Sequence, residues 1–317
     1  MLERPLRLLV VSNMYPSGSH PGYGVFVRTQ VDALRALGGI EVEVFHWDAR
    51  RRPWRYAVAA ASHELRHADA DVIHAHYGLS GFVALAAPRR IPLVLTVHGR
   101  DCHHPVVRPL TARVARRAAV VIAVSEELAG QCPFPVDEII STGVDMELFR
   151  PLPRVQARAA LGLDPDRRLL LFPADPARPE KRFADARTLV DSLIATGSSE
   201  REVELRVVFG RPREEMPLWI NAADAVLVPS AREGYGLACV EALACDVPVL
   251  STPVGIAPGL LPEVEGAFCA RFELEEWRAA LESILAQPDP RVKGRAVAGT
   301  QSVSAPARHL VDLYRRL

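Results

Sequence analysis

The stretch Ala225-Val-Leu-Val-Pro-Ser-Ala-Arg-Glu-Gly-Tyr-Gly-Leu-Ala-Cys-Val-Glu-Ala-Leu-Ala-Cys-Asp-Val-Pro-Val-Leu250 decides the fold. It reads as a strand over Ala225–Val228, a glycine-containing loop, a helix over Leu237–Ala244 and a second strand from Pro248. Both strands are apolar without alternation. That pattern belongs to strands covered on both faces, as in a parallel sheet packed between helices. The loop Glu233-Gly234-Tyr235-Gly236 lets the backbone approach a ligand closely. The helix that follows offers N–H groups and the positive end of its dipole, an arrangement suited to a phosphate. Glu241 lies about one turn into that helix. A carboxylate there accepts hydrogen bonds from vicinal hydroxyls, as on a ribose. On spacing alone, a plain sheet-to-helix turn with a solvated glutamate fits equally well, because a single Gly-x-Gly is weak.

The same alternation extends in both directions. In the first half, strands are expected over Leu6–Ser12, Ile40–His46, Asp71–His74, Leu93–His98, Val120–Ser125 and Glu138–Ser141, with helical stretches at Phe26–Leu37, Tyr56–Arg66 and Pro109–Ala118 between them. In the second half, strands are expected over Leu169–Phe172, Leu205–Phe209, Ala225–Val228, Pro248–Ser251 and Ala267–Cys269. Helices are expected near Phe183–Ala195, Pro217–Ala222, Leu237–Ala244, Leu274–Ala286 and Ala305–Leu317. Two βα-repeating halves make the fold class α/β, with two doubly wound, Rossmann-like domains. The seam is expected in Phe149–Pro165, where Pro151, Pro153 and Pro165 bracket a short helical stretch. The domains are therefore drawn at 1–150 and 151–304, with a separate last helix over 305–317. Ligands of such sheets sit beyond the carboxyl ends of the strands, so two domains facing across a cleft would hold a ligand between them.

Composition narrows the function. The 317 residues carry 38 basic and 38 acidic side chains. Residues 1–150 have 17 and 15 of these, so neither half has the cationic excess of a general nucleic-acid binder. No apolar run reaches the about 18 residues of a membrane span. The run Leu8–Val11 is too short for a signal-peptide core. The five cysteines show no Cys-x-x-Cys pair, so a disulfide framework is not expected and a reducing cytoplasm is the default. Only Lys181 and Lys293 are lysines, which singles out both positions. His74-x-His76 and Cys102-His103-His104 have no closed tetrahedral spacing for a metal. Asp69-x-Asp71 and Asp164-x-Asp166 stand before a strand and in the seam, not where a metal-binding Asp pair belongs. The basic and aromatic run Arg50–Tyr56 fits either a solvated loop or a contact with an acceptor or an anionic membrane.

Glu233 and Glu241 are separated by seven residues within Pro-Ser-x-x-Glu-Gly-x-Gly-x-x-x-x-Glu-Ala-x-Ala-x-x-x-Pro-Val. This resembles the Glu-x7-Glu motif of the retaining, GT-B fold glycosyltransferases known as family 4. Further segments agree in order: Val11–Gly24, Thr96-Val97-His98-Gly99, Ser125 to Leu128, and Gly143-Val144-Asp145 with Phe149-x-Pro151. The resemblance implies catalytic roles for His98 and Glu233 beside the donor sugar and for Lys181 and Arg178 at the diphosphate. It implies donor binding by Gly24, by the amides of Gly234, Tyr235, Gly236 and Leu237, and by Glu241 at the ribose. It also implies that the helix over 305–317 packs back on the N-terminal domain.

Departures from the family pattern are visible. The usual phosphate-binding Arg, five residues before Lys181, is Pro176, and Arg178 is the nearest substitute. Val254-Gly255-Ile256 stands where Val-Gly-Gly is usual, and Asp246 where Gly is common. The segment between Val208 and Ala225 is short. The activity implied is transfer of a hexose from a nucleotide-sugar to an unidentified glycan, lipid-linked or small-molecule acceptor, with no metal and no cofactor beyond the nucleotide-sugar substrate. A GT-B fold sugar-nucleotide epimerase and a non-catalytic sugar-nucleotide-binding subunit are the alternatives. The expected location is the cytoplasm, or its membrane face if the Arg50–Tyr56 run meets anionic lipid. Donor sugar, base, acceptor and oligomeric state are not legible.

Overall fold

A computed structural model describes residues 4–50, 52–197 and 202–317; Arg51, within the basic run, lies outside them. The chain divides into two compact units. One holds residues 4–19, 23–143 and 303–317, and the other holds 20–22 and 144–302.

The first unit is built on six strands: β1 (Leu6–Ser12), β2 (Ile40–His46), β3 (Val72–His76), β4 (Leu93–Val97), β5 (Val120–Ala123) and β6 (Glu138–Ile139). All pair in parallel, in the order β2-β1-β3-β4-β5-β6. Every residue of β3, β4 and β5 is buried, as apolar strands between two helical layers must be. The edge strand β2 reads Ile-Glu-Val-Glu-Val-Phe-His and buries only Ile40 fully, in keeping with its alternating sequence. The helix Val25–Leu37 buries Val27, Val31 and Leu34 in one core with Leu8 and Val10 of β1, Ile40 of β2, Val72 of β3 and Val94 of β4. The last helix, Ser304–Arg315, joins that core through Ala307, Leu310, Leu313 and Tyr314.

The second unit has β7 (Arg168–Phe172), β8 (Val203–Val207), β9 (Ala225–Val228), β10 (Val249–Ser251) and β11 (Phe268–Cys269), again all parallel, ordered β11-β10-β9-β7-β8. β7 and β9 are wholly buried. Its core joins Leu170, Phe172, Leu189, Leu193, Leu227 and Leu250 to Trp277 and Leu281 of the helix Leu274–Leu285.

Three local expectations are corrected. The stretch Tyr56–Arg66 forms two helices, Arg55–Ala61 and His63–Arg66. Ser62 adopts an extended ψ of 144° between them and caps the second by accepting from the Leu65 N–H. The strand expected over Leu205–Phe209 lies at 203–207, because Gly210 turns with φ +69° and leaves Phe209 outside the ladder. Cys102 and Cys132 are joined as a disulfide, although no disulfide was expected. The helices Arg100–His103 and Glu126–Gln131 bring their Cα atoms to 5.0 Å, across thirty residues of sequence that give no spacing signal.

Candidate active site

In doubly wound sheets, ligands collect where the strand order reverses. In the second unit that point lies between β7 and β9. The chain leaving β7 carries Lys181, and the chain leaving β9 carries Glu233. The two loops are laced by the Ala231 N–H, which donates to the Glu180 carbonyl at 2.8 Å. Lys181 closes the short turn Pro179–Lys181. Its Nζ donates to both oxygens of Glu233, at 2.6 and 2.7 Å, and the Ser230 hydroxyl donates to Oε1 at 2.7 Å. Both charged side chains are about 15% exposed, at 15% and 14%. The pair is thus partly shielded from water yet still reachable.

Gly236 follows with φ +97° and caps the helix Leu237–Ala244, where no side-chain cap hydrogen bond is made among the described residues. The loop is braced from below. The Ile256 N–H donates to the Tyr235 carbonyl at 2.8 Å. Gly255 takes φ +58°, and a Cβ there would stand 2.4 Å from the same carbonyl oxygen. Of the usual glycine pair, the first is the one this packing requires, and Ile256 is tolerated at the second. The Tyr235 hydroxyl donates to Gln301 at 3.0 Å. Glu241 sits on the buried side of the same helix, and Arg213 donates to it at 3.2 Å. Burial pushes the Glu241 carboxyl up, and Arg213 pulls it back down.

Arg178 takes no part in this cluster. Its Nε and Nη2 donate to Glu180 at 3.0 and 2.7 Å, and its side chain is 56% exposed. The structure therefore gathers Lys181, Glu233, the 234–237 backbone and Glu241 around one helix end and turns Arg178 aside.

In the first unit the reversal lies between β1 and β3. Gly24, with φ +74°, packs where a Cβ would lie 2.3 Å from the Met14 carbonyl carbon, and it opens the helix Val25–Leu37. Two residues on, the Phe26 ring lies 4.6 Å from the His98 ring. His98 follows β4 and bonds through Nε2 to His76 Nδ1 at 3.1 Å. Burial, then the neighbouring His76, holds His98 well below the usual histidine range. It is therefore a neutral hydrogen-bonding group rather than a cation at neutral pH.

Sequence reading missed Asp101, which is fully buried and fixes this loop. Its carboxylate accepts from the Gly78 N–H at 2.5 Å and the His98 N–H at 2.7 Å. A carboxylate three residues after a candidate site histidine was the available signal. His74 is held by Tyr314 and Thr96, each at 2.6 Å. Among the described residues no group of three His, Cys, Asp or Glu converges as a metal site.

Residues 20–148 match the family model Glycosyltransferase Family 4, and residues 197–298 match Glycosyl transferases group 1. The D-inositol 3-phosphate glycosyltransferase of Mycobacterium sp. (strain KMS) is 31% identical over 284 residues, 75% of this chain and 64% of the relative. That of Mycolicibacterium gilvum (strain PYR-GCK) is 34% identical over 298 residues, 80% of this chain and 66% of the relative. The chain thus spans somewhat less than two thirds of the first relative's length. Among solved structures, the sucrose-phosphate synthase of Thermosynechococcus elongatus aligns with TM-score 0.71 and 20% identity over 99% of both chains. Anabaena HepE in complex with UDP and glucose aligns with TM-score 0.72 and 18% identity, over 99% of this chain and 100% of that one. The two doubly wound units are those of a GT-B fold, and the chain belongs to the family-4-like glycosyltransferases.

Proposed function

We propose that this chain is a retaining glycosyltransferase that moves a hexose from a nucleotide-sugar to an acceptor hydroxyl without a resident metal ion. The observation that carries the reading is the Lys181–Glu233 pair at the sheet reversal, beside the uncapped first turn of the Leu237 helix. A departing diphosphate needs positive charge that is already in place. Lys181 and the helix amides supply it preorganised, each well-placed donor lowering the barrier by roughly 2–4 kcal/mol. Glu233, held as an acceptor by Lys181 and Ser230, takes hydroxyls of the donor hexose. Glu241 takes those of the nucleoside.

In this account the bond from the anomeric carbon to the phosphate oxygen breaks with its electron pair passing to the phosphate. The acceptor oxygen bonds to the same face of the anomeric carbon, and its proton passes to the departing phosphate oxygen. Configuration is thereby retained. The exposed Trp54 and Val58 face is the chain's contact with membrane or acceptor.

Support for the donor class comes from relatives named as glycosyltransferases and from a structural neighbour solved with UDP and glucose. Calorimetry against UDP-, GDP-, ADP- and dTDP-sugars tests it, followed by proton NMR of the product's anomeric signal. Binding of one of these with a product of retained configuration is the expected result. An inverted product overturns the mechanism. An epimerised donor formed without acceptor identifies an epimerase instead, and binding with no turnover under any acceptor identifies a non-catalytic subunit.

A further inference from the structure

The short segment between Val208 and Ala225 carries a residue with no task so far. Arg213 opens the turn Arg213–Glu215, and its side chain is 8% exposed. Its Nη1 donates to Glu241 Oε1 at 3.2 Å, and its guanidinium carbon lies 4.9 Å from the centre of the Phe149 ring. Nη2 is buried and has no hydrogen-bond partner among the described residues. The ring beneath it is fixed: Phe149 is fully buried, and Arg295 donates to the carbonyls of Phe149 and Met146, each at 2.7 Å. Glu241 accepts on one oxygen only, and Oε2 meets no donor among the described residues.

A buried carboxylate with no cation beside it takes up a proton and ceases to be a full acceptor. Arginine is suited to prevent this, because its planar fork both stacks on a ring and bonds edge-on to a carboxylate. We propose that Arg213 is a positioning residue of the nucleotide subsite: seated on Phe149 and bonded to one oxygen of Glu241, it fixes that carboxylate to accept the sugar hydroxyls of a bound nucleoside. Its buried Nη2 is the donor that a ligand oxygen completes. The inference rests on the donor reading above and narrows it to ribonucleotides over deoxyribonucleotides.

The test is calorimetry at fixed pH and salt with UDP, 2′-deoxy-UDP, GDP and 2′-deoxy-GDP, on the native chain and on Arg213→Met and Arg213→Lys, with melting temperatures recorded for each. The native chain prefers the ribonucleotide of the accepted base about tenfold, the worth of one net hydrogen bond to a charged group. In Arg213→Met the ribonucleotide weakens about tenfold and the deoxynucleotide less than threefold, so the preference collapses. Arg213→Lys restores part of it. A preference that survives in Arg213→Met, with both ligands weakened equally or not at all, overturns the assignment. So does an Arg213→Lys variant no better than Arg213→Met. A native chain that binds none of UDP, GDP, ADP and dTDP overturns the donor reading itself, a result seen before any variant is made.

Discussion

The two ends of the second sheet make opposite use of charge. At the amino end, Asp224 stands just before β9 and is completely buried. Its Oδ2 accepts from Arg158 Nη2 and the Leu169 N–H, each at 2.7 Å, and its Oδ1 accepts from Arg154 and from Arg168 at 3.1 Å. The arginines spend their other donors on carbonyls: Arg158 on Ala222 and Pro165, Arg168 on Leu285 and Gln287. At the carboxyl end, Lys181 and Glu233 hold each other, the first turn of the helix has no side-chain cap, and Arg213 keeps an unmet donor. A saturated cluster is a device for stability, whereas a cluster with unmet bonding capacity is set for a ligand. Burial alone would not have told them apart.

This contrast is open to attack from several sides. The largest effect on stability is expected at Asp224. Asp224→Ala strands two buried cations, Arg158 and Arg168, and should cost about 3–5 kcal/mol in denaturant unfolding; a loss under 1 kcal/mol would deny the cluster its role. At the other end, Lys181→Ala should lower turnover by about 100- to 1000-fold, the scale of deleting one preorganised donor, while the melting temperature shifts little. Equal losses of stability in the two variants would erase the distinction. Gly255→Ala should cost about 1–3 kcal/mol, since it imposes left-handed backbone on a side chain aimed at the Tyr235 carbonyl. It should also weaken nucleotide binding, and unchanged binding would detach that brace from the site. Arg178→Ala should change turnover less than threefold, because the guanidinium is exposed and paired with Glu180. A hundredfold loss would return Arg178 to the diphosphate. The smallest effect is expected from liposomes: sedimentation with anionic vesicles should show weak, salt-sensitive binding, and Trp54→Ala should reduce it. Identical sedimentation with neutral lipid would remove the membrane reading.

Much of this frame was legible because buried parallel strands are written in β-branched runs. β1 and β9 fall where those runs begin and end, and β2 where its alternating run does. The helix Gly78–Ala84 was not legible. Its sequence Gly-Leu-Ser-Gly-Phe-Val-Ala has no amphipathic stripe, and its glycines are there for contact: a Cβ on Gly78 would meet the Thr111 hydroxyl at 1.9 Å, and one on Gly81 would meet Val114 at 2.7 Å. Lys181, Glu233 and Glu241 could be placed because loop and helix follow each other locally along the chain. Arg213 and Asp101 could not, since each acts on a residue brought near by packing: Arg213 reaches Glu241 across 28 positions, and Asp101 ties in Gly78 across 23. Cys102 and Cys132 meet for the same non-local reason.

The claim on which the rest hangs is that Lys181 holds the diphosphate. It is tested most directly by titrating the native chain and Lys181→Ala with the best-bound nucleoside diphosphate and with its bare nucleoside. The account predicts that the variant loses roughly tenfold to hundredfold in affinity for the diphosphate, the worth of one charge-assisted hydrogen bond, and nothing for the nucleoside. Equal affinities of both chains for the diphosphate, or equal losses for diphosphate and nucleoside, would contradict it.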